Sequence, residues 1–542
     1  MIRGIVVDDR TAQQPSSILE LAERRLQSGS ATRFGFEDGW HTLEEVDELS
    51  DRCAEFFRGL GVTEGDRIAA MLHNSLDHVV AWFAASKLGA IFAPVNTSYK
   101  GEWLLHQLAD ADPAVIVVES ELAGGGIEVA RALPSRVSII VRDAATEDSA
   151  GTSAPTGELA RFAEYRRCDR VTTRFRPLPS TTSHIIYTSG TTGRSKGCVI
   201  SHGYLINYAR LRLAAVPRLE GEASFTALPL FHIAGLGGTV GNLIIGGDAY
   251  LARRFSVSKF WSEIESSGAR YVQLLGSMAP ILAKAPDTEQ SRRCFGQIRV
   301  LTGSAVPEVN EALHDRFGVR STAIKFYGQT EAAPIATSDE RPIKEDSIGV
   351  PSDSFDVRVL DELDREVPAG VIGQIACRPT RPDVMFNGYW RNPEATLAKS
   401  TTLWWHTGDY GWLDEDGYLH FSDRGDDRLR RGGENVSSHE LETVVSSHPE
   451  VASVAAHAVP SELGEDEIKL SLVLRPGSTL TAAELWQWCM QHLPKFAVPR
   501  YIEFRTALPL TPSGKIQKHL LRSEGVTAAT WDKTGETDGR DA

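Results

Sequence analysis

The chain has 542 residues, too many for one compact core, because hydrophobic cores stop growing near about 250–300 residues, so roughly two to four domains are expected. Its formal net charge of −15 argues against a nucleic-acid or anionic-membrane partner but leaves room for a small anionic ligand in a local basic pocket. The six cysteines lie far apart, without a Cys-x-x-Cys motif or a His-Cys cluster. This pattern predicts neither a disulfide framework nor a structural zinc site, and it favours a reducing cytoplasm.

Two apolar stretches were candidates for membrane signals, and the sequence argues against both. The N-terminal run around Ile5 is cut by Asp8 and Asp9 before it reaches the length of a signal peptide core. Residues 226–247 carry no Asp, Glu, Lys or Arg, but their six glycines and Pro229 make a poor lipid-embedded helix. A buried loop followed by a tightly packed helix is predicted there, without a membrane span.

Helix and strand patterns alternate in the N-terminal part and predict an α/β lobe with parallel sheet. A helix is predicted from the cap-like Thr42, which Glu45 follows three positions later, to the stop at Gly61. The further predictions are strands at 66–72, 90–95 and 114–118, helices at 78–88 and 103–108, and a surface loop at 144–157. Six arginines between residues 161 and 176 are interpreted as a solvated face, with an anion-gripping role as the less favoured alternative.

A loop rich in glycine and hydroxyl side chains follows, with the sequence Tyr-Thr-Ser-Gly-Thr-Thr-Gly-Arg-Ser-Lys-Gly at residues 187–197. The apolar runs on either side predict a strand, a loop and a second strand. Glycine lets the backbone approach a ligand, the hydroxyl and N–H groups donate hydrogen bonds, and Lys196 adds positive charge. A nucleotide phosphate tail is the predicted ligand. The spacing is not that of a Walker loop, since no hydroxyl follows Lys196.

Taken alone, this loop would be better interpreted as a flexible surface linker, but other motifs accompany it. They are a histidine in Pro229–Gly235, the small-residue turn Val-Leu-Thr-Gly-Ser-Ala at 300–305, Tyr-Gly-Gln-Thr-Glu at 327–331, Trp-Trp-His-Thr-Gly-Asp at 404–409 and Pro-Ser-Gly-Lys at 512–515. Together they resemble the adenylate-forming superfamily of acyl- and aryl-CoA ligases, peptide-synthetase adenylation domains and beetle luciferases. The resemblance extends from about residue 42 to residue 518.

The resemblance implies a site for ATP and AMP. In it the turn at 303–305 carries the adenine, Tyr327 stacks on that ring, and Thr330 binds the α-phosphate. Glu331 helps to hold Mg²⁺ as a hard oxygen ligand, and Asp409 takes both ribose hydroxyls. The nucleotide-site residues implied in this way are Thr188, Ser189, Gly190, Thr191, Thr192, Gly193, Lys196, Gly303, Ser304, Ala305, Tyr327, Gly328, Gln329, Thr330, Asp409 and Arg424.

The resemblance also implies a pocket for the acid. His232 falls where CoA ligases carry a histidine and where amino-acid-activating relatives carry an aspartate that pairs with the substrate's α-ammonium. No acidic residue occurs between Ser224 and Gly247, so a buried ammonium would lack a partner and an α-amino acid substrate is disfavoured. Glycines after His232 suggest a roomy wall, whereas Phe326 narrows the pocket. The implied acid-pocket residues are His232, Ile233, Gly235, Gly238, Thr302 and Phe326.

The charged segment 423–436 is typical of a domain boundary. By resemblance Asp426 is the hinge, Gly432 and Gly433 line the path of the CoA pantetheine arm, and Lys515 bridges the acid's carboxylate and the α-phosphate. Residues 1–425 are therefore expected to form a large N-terminal domain and residues 426–542 a small mobile lobe. Helices at 440–447 and 482–493 and strands at 451–459 and 468–473 predict an α+β lobe, and the polar tail from about residue 523 is predicted to be disordered.

We therefore expect an ATP-dependent acyl- or aryl-CoA ligase in which Lys515, His232, Glu331 and Thr330 are the catalytic residues. Its co-substrates and cofactor would be ATP, CoA and Mg²⁺, and its substrate a carboxylic acid. The alternatives are a different acceptor for the acyl-adenylate, namely a carrier-protein thiol, an amine or an oxygen, or only one of the two half-reactions. A non-catalytic nucleotide sensor is the third class. The sequence does not determine the acid, the pathway or the oligomeric state.

Overall fold

The structure is a computed structural model. It describes residues 15–535 except 134, 136, 143–159, 189–193, 217, 276–277, 304–306, 323–324, 340, 345, 425–427, 432–433, 462–464 and 510–515. The helices are α1 Ile18–Gln27, α2 Leu43–Gly59, α3 Leu76–Leu88, α4 Gly101–Ala111, α5 Ala123–Arg131, α6 His202–Ala215, α7 Ile233–Ile245, α8 Val257–Ser267, α9 Met278–Lys284, α10 Glu289–Arg293, α11 Pro307–Phe317, α12 Pro393–Lys399, α13 Ser438–Ser446, α14 Ala482–His492 and α15 Lys518–Glu524.

The strands are mostly short, and many are buried on both faces. They are β1 Arg33–Phe36, β2 Gly39–Thr42, β3 Arg67–Met71, β4 Ile91–Pro94, β5 Val115–Glu119, β6 Ser138–Arg142, β7 Ala160–Arg161, β8 Thr182–Thr188, β9 Lys196–Ser201, β10 Ser224–Thr226, β11 Ala249–Leu251, β12 Tyr271–Gln273, β13 Val300–Thr302, β14 Phe326–Tyr327, β15 Ala336–Thr337, β16 Val350–Pro351, β17 Phe355–Leu360, β18 Gly373–Pro379, β19 Trp405–Leu413, β20 Leu419–Arg424, β21 Arg428–Arg431, β22 Glu434–Ser437, β23 Val451–Pro460, β24 Asp466–Leu474, β25 Tyr501–Phe504 and β26 Trp531–Asp532.

Two large sheets organise the N-terminal part, and both are parallel except at one edge. The first has the order β7-β6-β5-β3-β4-β8-β9, with β9 antiparallel to β8. The second has the order β13-β12-β10-β11-β1-β2, with β2 antiparallel to β1. Strands such as β5 are buried along their whole length, as is usual for parallel sheets covered by helices. The predicted α/β class with parallel sheet is confirmed.

Helix ends follow the capping signals of the sequence. Thr42 and Glu45 form a capping box at the start of α2, each side chain bonded to the other's backbone N–H. Helix α3 ends at Gly89, whose φ of +72° lies in the left-handed region that glycine tolerates best. These contacts fix the first helices against the sheet.

The glycine-rich stretch of residues 226–247 forms a loop and then the buried helix α7, as predicted. A Cβ atom at Gly237 would lie 2.2 Å from Cε1 of Tyr208, so α7 packs closely on α6 only because this residue is glycine. In the described ranges, no helix is long and apolar enough to cross a membrane.

The arginine-rich segment binds acidic side chains of the first helices. Asp51 on α2 is buried, and its carboxylate accepts hydrogen bonds from Lys87, Arg170 and Arg174 at 2.7–2.9 Å. Arg176 pairs with Glu23 in the same way. The predicted solvated face is confirmed for Arg161, Arg166, Arg167, Arg170 and Arg176, which are exposed. Arg170, Arg174 and Arg176 also connect the segment to α1 and α2 through these ion pairs.

Four smaller sheets complete the fold: β14-β15-β16, β17-β18-β19-β20, β21-β22 and β23-β24-β25-β26. The turn at 414–417 joins β19 to β20 as an antiparallel hairpin, as predicted. We call residues 428–535, which carry β21–β26 and α13–α15, the C-terminal lobe. Its core packs on the N-terminal part, where Phe496 contacts the rings of Tyr99 and Trp103 with centroids 6.3 and 6.1 Å away.

The prediction of a disordered tail from residue 523 is wrong for residues 523–535. Strand β26 pairs with β25, with Trp531 opposite Ile502, and Trp531 packs against the core of the C-terminal lobe. Lys533 also lies over the ring of Trp486, 4.5 Å from its centroid. A single tryptophan among polar residues orders this segment, although the composition of the segment alone indicates disorder.

Candidate active site

The predicted phosphate loop closes a β-hairpin. Strands β8 and β9 are antiparallel, and Thr188 is the cross-strand partner of Lys196. Residues Ser189, Gly190, Thr191, Thr192 and Gly193 lie outside the described residues. The hairpin therefore positions the two ends of the loop at one edge of the seven-stranded sheet.

Three predicted nucleotide-site residues meet at the middle of β19, where Asp409 lies. The carboxylate of Asp409 is buried, and its Oδ2 accepts hydrogen bonds from the Tyr327 hydroxyl at 2.6 Å and from Gln329 Nε2 at 3.0 Å. Burial and the nearby Asp409 charge raise the pKa of Tyr327 well above its ordinary value, so this phenol stays protonated and donates. The cluster presents a fixed carboxylate, which is the group that a ribose diol needs.

Lys196 and Glu331 are brought to the same aromatic ring. The Tyr389 hydroxyl donates to Glu331 Oε1 at 2.6 Å, while Lys196 Nζ lies 5.5 Å from the centroid of the Tyr389 ring. Next to Glu331, the carbonyl oxygen of Thr330 accepts a hydrogen bond from Tyr204 at 3.1 Å. Lys196, at the end of the phosphate loop, and Glu331, the predicted metal ligand, therefore both contact Tyr389.

The donor set at Glu331 fits Mg²⁺ bound together with a nucleotide. Glu331 supplies one buried carboxylate, and hard oxygen ligands of this kind suit Mg²⁺, which binds proteins through one or two carboxylates plus substrate phosphates. Over the described ranges, no group of three or more His, Cys, Asp and Glu residues forms a metal site of its own.

The predicted acid-pocket residues border one region between α6, α7, β12, β13 and β14. The Phe326 ring packs edge-on against Tyr208, with centroids 6.0 Å apart, and Thr302 Oγ1 lies 3.5 Å from the Tyr271 hydroxyl. His232 precedes the first turn of α7, and Ile233 begins that helix. Gly303 follows β13 with a φ of +105°, and a Cβ there would lie 1.8 Å from the carbonyl oxygen of Leu274.

The expected roomy wall is wrong at Gly235 and Gly237, because protein atoms already fill the space beside them. A Cβ at Gly235 would lie 2.4 Å from the Pro229 carbonyl oxygen. A Cβ at Gly238 would lie 2.8 Å from Oε1 of Gln273, a buried oxygen with no hydrogen-bond partner in the described part of the chain. The glycines therefore permit close packing, and Gln273 adds a polar atom beside Gly238.

The C-terminal lobe touches the N-terminal part of the site through two carboxylates, of which Glu434 on β22 is the first. His232 Nε2 lies 3.0 Å from Glu434 Oε1, and Asn96 Nδ2 donates to the same oxygen at 3.3 Å. Burial by itself lowers the pKa of His232, but the Glu434 carboxylate more than offsets this, so that the pKa is raised; Arg430 opposes the increase. The imidazole is therefore held as a donor toward Glu434.

Glu440 on α13 is the second carboxylate. Its Oε1 accepts a hydrogen bond of 2.7 Å from the backbone N–H of Ser195, just before Lys196. Burial raises the pKa of Glu440 to about 7, against the opposing effects of the Ser195 N–H and of Arg194. One C-terminal helix is therefore docked directly on the exit of the phosphate loop.

Several predicted residues cannot be located against these clusters. Lys515, Asp426, Gly432, Gly433, Ser304 and Ala305 lie outside the described residues. Of Arg424 only the backbone is described, and it is the cross-strand partner of Asp409. Gly328 lies between Tyr327 and Gln329, and a Cβ there would lie 2.7 Å from that of Ala333, so this turn also requires a small residue.

With this geometry, the comparisons with known proteins identify the family. The AMP-binding enzyme family matches residues 21–390, and the AMP-binding enzyme C-terminal domain matches residues 440–515. The chain belongs to this family. A crotonobetaine/carnitine–CoA ligase of Salmonella typhi is 30% identical over 485 residues, covering 88% of this chain and 92% of that protein.

Solved structures of AMP-binding enzymes share the fold. The o-succinylbenzoate CoA synthetase of Bacillus subtilis aligns with a TM-score of 0.78 and 24% identity, covering 94% of this chain and 98% of that one. The amide bond synthetase of Marinactinospora thermotolerans aligns with a TM-score of 0.78 and 24% identity, covering 93% and 99% of the two chains.

Sequence reasoning missed several residues that the AMP-binding fold brings to the site. Tyr389 was not among the predicted site residues, and only its hydroxyl contact with Glu331 relates it to the site. Glu434 and Glu440 follow the hinge region, and nothing in their local sequence indicates a contact with residues about 200–250 positions earlier. Arg212 and Gln273 lie on the elements that border the acid pocket and carry no motif.

Proposed function

We propose that this chain carries out both half-reactions of an acyl-CoA ligase at one active site. It is an AMP-forming acid–thiol ligase that uses ATP, Mg²⁺ and CoA, and its substrate is a carboxylic acid. The observation that carries the proposal most directly is the hydrogen bonding of Tyr327 and Gln329 to the buried carboxylate of Asp409 on β19. Because the pKa of Tyr327 is raised, its phenol stays protonated and donates to Asp409, whose carboxylate would bind the ribose.

In the first half-reaction, an oxygen of the acid's carboxylate attacks the α-phosphorus of ATP, and pyrophosphate leaves as the acyl-AMP forms. Two negatively charged reactants must meet, so the site has to neutralise charge and orient them. Asp409 binds the ribose, Thr330 the α-phosphate, and Lys196 and Lys515 supply positive charge. Mg²⁺, held at Glu331, neutralises phosphate charge when it is bound.

In the second half-reaction, the sulfur of CoA attacks the acyl carbon, AMP leaves with the bonding electrons, and the thiol proton is lost to solvent or to a base. We assign the observed lobe arrangement to this step. The support is the contact of Glu434 with His232, which brings the strand after Gly432 and Gly433 to the acid pocket. Ile516, next to Lys515, packs instead on the hydrophobic cluster of Ala455, Leu508 and Leu521 within the C-terminal lobe.

Residues 1–425 and 426–542 would move as two bodies about Asp426, and the acid is not an α-amino acid because helix α7 carries no carboxylate to pair with an ammonium. A reducing cytoplasm is proposed because all six cysteines are free.

One assay tests the proposal. The full-length protein is incubated with MgATP and a panel of carboxylic acids, and pyrophosphate release is followed with and without CoA. We expect acid-dependent pyrophosphate release and a CoA thioester identified by mass spectrometry. ATP binding without acid-dependent turnover over a broad panel would contradict a ligase, and adenylate formation with no transfer to CoA would indicate an amine or a carrier-protein thiol as acceptor.

A further inference from the structure

Arg212 on α6 lies beside the acid pocket without an acidic partner. Its Nη2 donates to the Tyr271 hydroxyl at 3.1 Å and its Nη1 to the Tyr208 hydroxyl at 3.4 Å. Its Cζ lies 5.0 Å from the centroid of the Phe326 ring. Among the residues that the structure describes, no Asp or Glu pairs with this half-buried guanidinium. Buried cations are usually paired, so an unpaired one requires an explanation.

The surroundings of Arg212 belong to the pocket wall. Tyr271, which binds Arg212, approaches Thr302 to 3.5 Å, and Phe326 packs under the guanidinium. Thr302 and Phe326 are the residues that the family resemblance assigns to the acid site. The guanidinium therefore borders the part of the pocket wall that Thr302 and Phe326 would form.

The nearby charges do not compensate Arg212. Arg218 also lies against Tyr271, with its Cζ 4.5 Å from the centroid of that ring. Arg218 and Arg299 both pair with Glu222, at 3.5 and 2.7 Å. Glu222 is therefore shared by two guanidinium groups, and no carboxylate of the described residues pairs with Arg212.

The phenol between the arginines responds to this excess of positive charge. Burial alone raises the pKa of Tyr271, but Arg212 and Arg218 more than offset that effect, and the pKa is lowered. A site with this potential attracts an anion and opposes a cation. Because a guanidinium matches the two oxygens of a carboxylate, arginine suits such a ligand better than lysine does.

We propose that the acid activated by this chain carries a second anionic group, distal to the reacting carboxylate, which pairs with Arg212. This inference rests on the proposed ligase function, whose acid it narrows to a class. A cationic acid is excluded by the same charges. A neutral acid of the same shape would leave Arg212 without a partner when the pocket closes over it, so it would be used less well.

The test compares each diacid with its monomethyl ester, which keeps one carboxylate and removes the other charge. The pairs are glutarate, adipate, isophthalate and terephthalate, and kcat/KM is measured by pyrophosphate release. We expect at least one diacid to exceed its ester by about tenfold to a hundredfold in the unmodified enzyme. Arg212→Met should remove that preference while leaving the KM for ATP unchanged, and Arg212→Lys should retain part of it.

Arg176→Met is the matched control, because it removes an exposed arginine that pairs with Glu23. Its selectivity should equal that of the unmodified enzyme, and thermal melting of all variants checks their folding. A panel in which every ester matches its diacid, or an Arg212→Met enzyme with unchanged preference, would overturn the inference.

A separate measurement distinguishes failure of the ligase function from failure of the inference. Calorimetric binding of the same diacids and esters in the presence of AMP needs no turnover. Tighter binding of a diacid, lost in Arg212→Met, would support the anion site even if no acid were activated. Equal binding of every diacid and its ester would refute the site whatever the activity.

Discussion

His232 and Glu434 connect the acid pocket to the C-terminal lobe through a contact of 3.0 Å between Nε2 and Oε1. The two residues are 202 positions apart, and Glu434 begins the strand that follows Gly432 and Gly433. Through this pair, the position of the C-terminal lobe and the protonation of His232 depend on one another.

Glu434→Gln should slow thioester formation and spare adenylation. The substitution removes the negative charge of the hydrogen-bond acceptor, and a hydrogen bond to a charged group is worth about 1.5–3 kcal/mol. The population of the docked lobe arrangement should therefore fall roughly tenfold or more. The rate of thioester formation from preformed acyl-adenylate and CoA measures it. Glu524→Gln, an exposed carboxylate that pairs with Arg505 within the lobe, is the control and should leave both rates unchanged. Equal loss in the two half-reactions would argue against a role in one orientation.

The docked arrangement should weaken as pH rises through about 7. The pKa of Glu440 is raised from its ordinary 4.5 to about 7, and that of His232 is raised from its ordinary 6.5. Groups with raised pKa values stabilise the docked state below their ordinary pKa, and this stabilisation is lost as pH passes the raised value. Energy transfer between dyes at exposed Phe295 and Met490 should report the change.

Glu440→Gln supplies the control for this pH dependence, because it keeps the acceptor for the Ser195 N–H and removes the titration. The variant should remain docked to higher pH than the unmodified protein. An unchanged midpoint in Glu440→Gln would mean that other groups govern the transition.

Much of the fold follows from local signals. The capping box of Thr42 with Glu45 and the stop before Gly61 fix α2 within a few residues, because a helix end depends on its nearest neighbours. The glycines of α7 were misinterpreted for a related reason. A glycine indicates that something approaches closely, but the sequence does not say whether that is a ligand or, as at Gly237, the ring of Tyr208.

The acid pocket and the lobe contacts depend on pairs that are distant in sequence. Arg212 is an ordinary helical arginine until β12 brings the Tyr271 hydroxyl to it. The joining of Lys196 and Glu331 at Tyr389 likewise results from the tertiary fold. The motif residues were predictable because residue type and spacing alone indicate their chemistry. The residues that contact and position them are identified only by the packing of the folded chain.

Asp409→Asn should weaken ATP binding while keeping the protein folded. The amide oxygen still accepts a hydrogen bond from the buried Tyr327 hydroxyl, but the charged acceptor for the ribose diol is lost. Hydrogen bonds to charged groups are worth about 1.5–3 kcal/mol, so the Kd for ATP should rise about tenfold or more. Isothermal calorimetry measures the Kd, and an unchanged value would remove Asp409 from the nucleotide site. Asp409→Ala should additionally lower the melting temperature, since Tyr327 and Gln329 both lose their acceptor.

Adjacent glycines of α7 should respond differently to alanine. Gly237→Ala forces a methyl group against the Tyr208 ring and should destabilise the fold by about 1–3 kcal/mol, seen in chemical denaturation. Gly238→Ala meets only the end of the Gln273 side chain, so it should alter the KM for the acid with little loss of stability. The reverse order of stabilities would contradict the packing described for α6 and α7.

The two half-reactions of Lys515→Ala test the central claim most directly. If Lys515 serves adenylation alone, the variant should lose acyl-AMP formation from acid and ATP, because its positive charge no longer stabilises the α-phosphate in the transition state. Supplied with preformed acyl-adenylate and CoA, the same variant should form thioester at nearly the rate of the unmodified enzyme. Equal damage to both half-reactions would contradict a lobe that turns between two orientations at one active site.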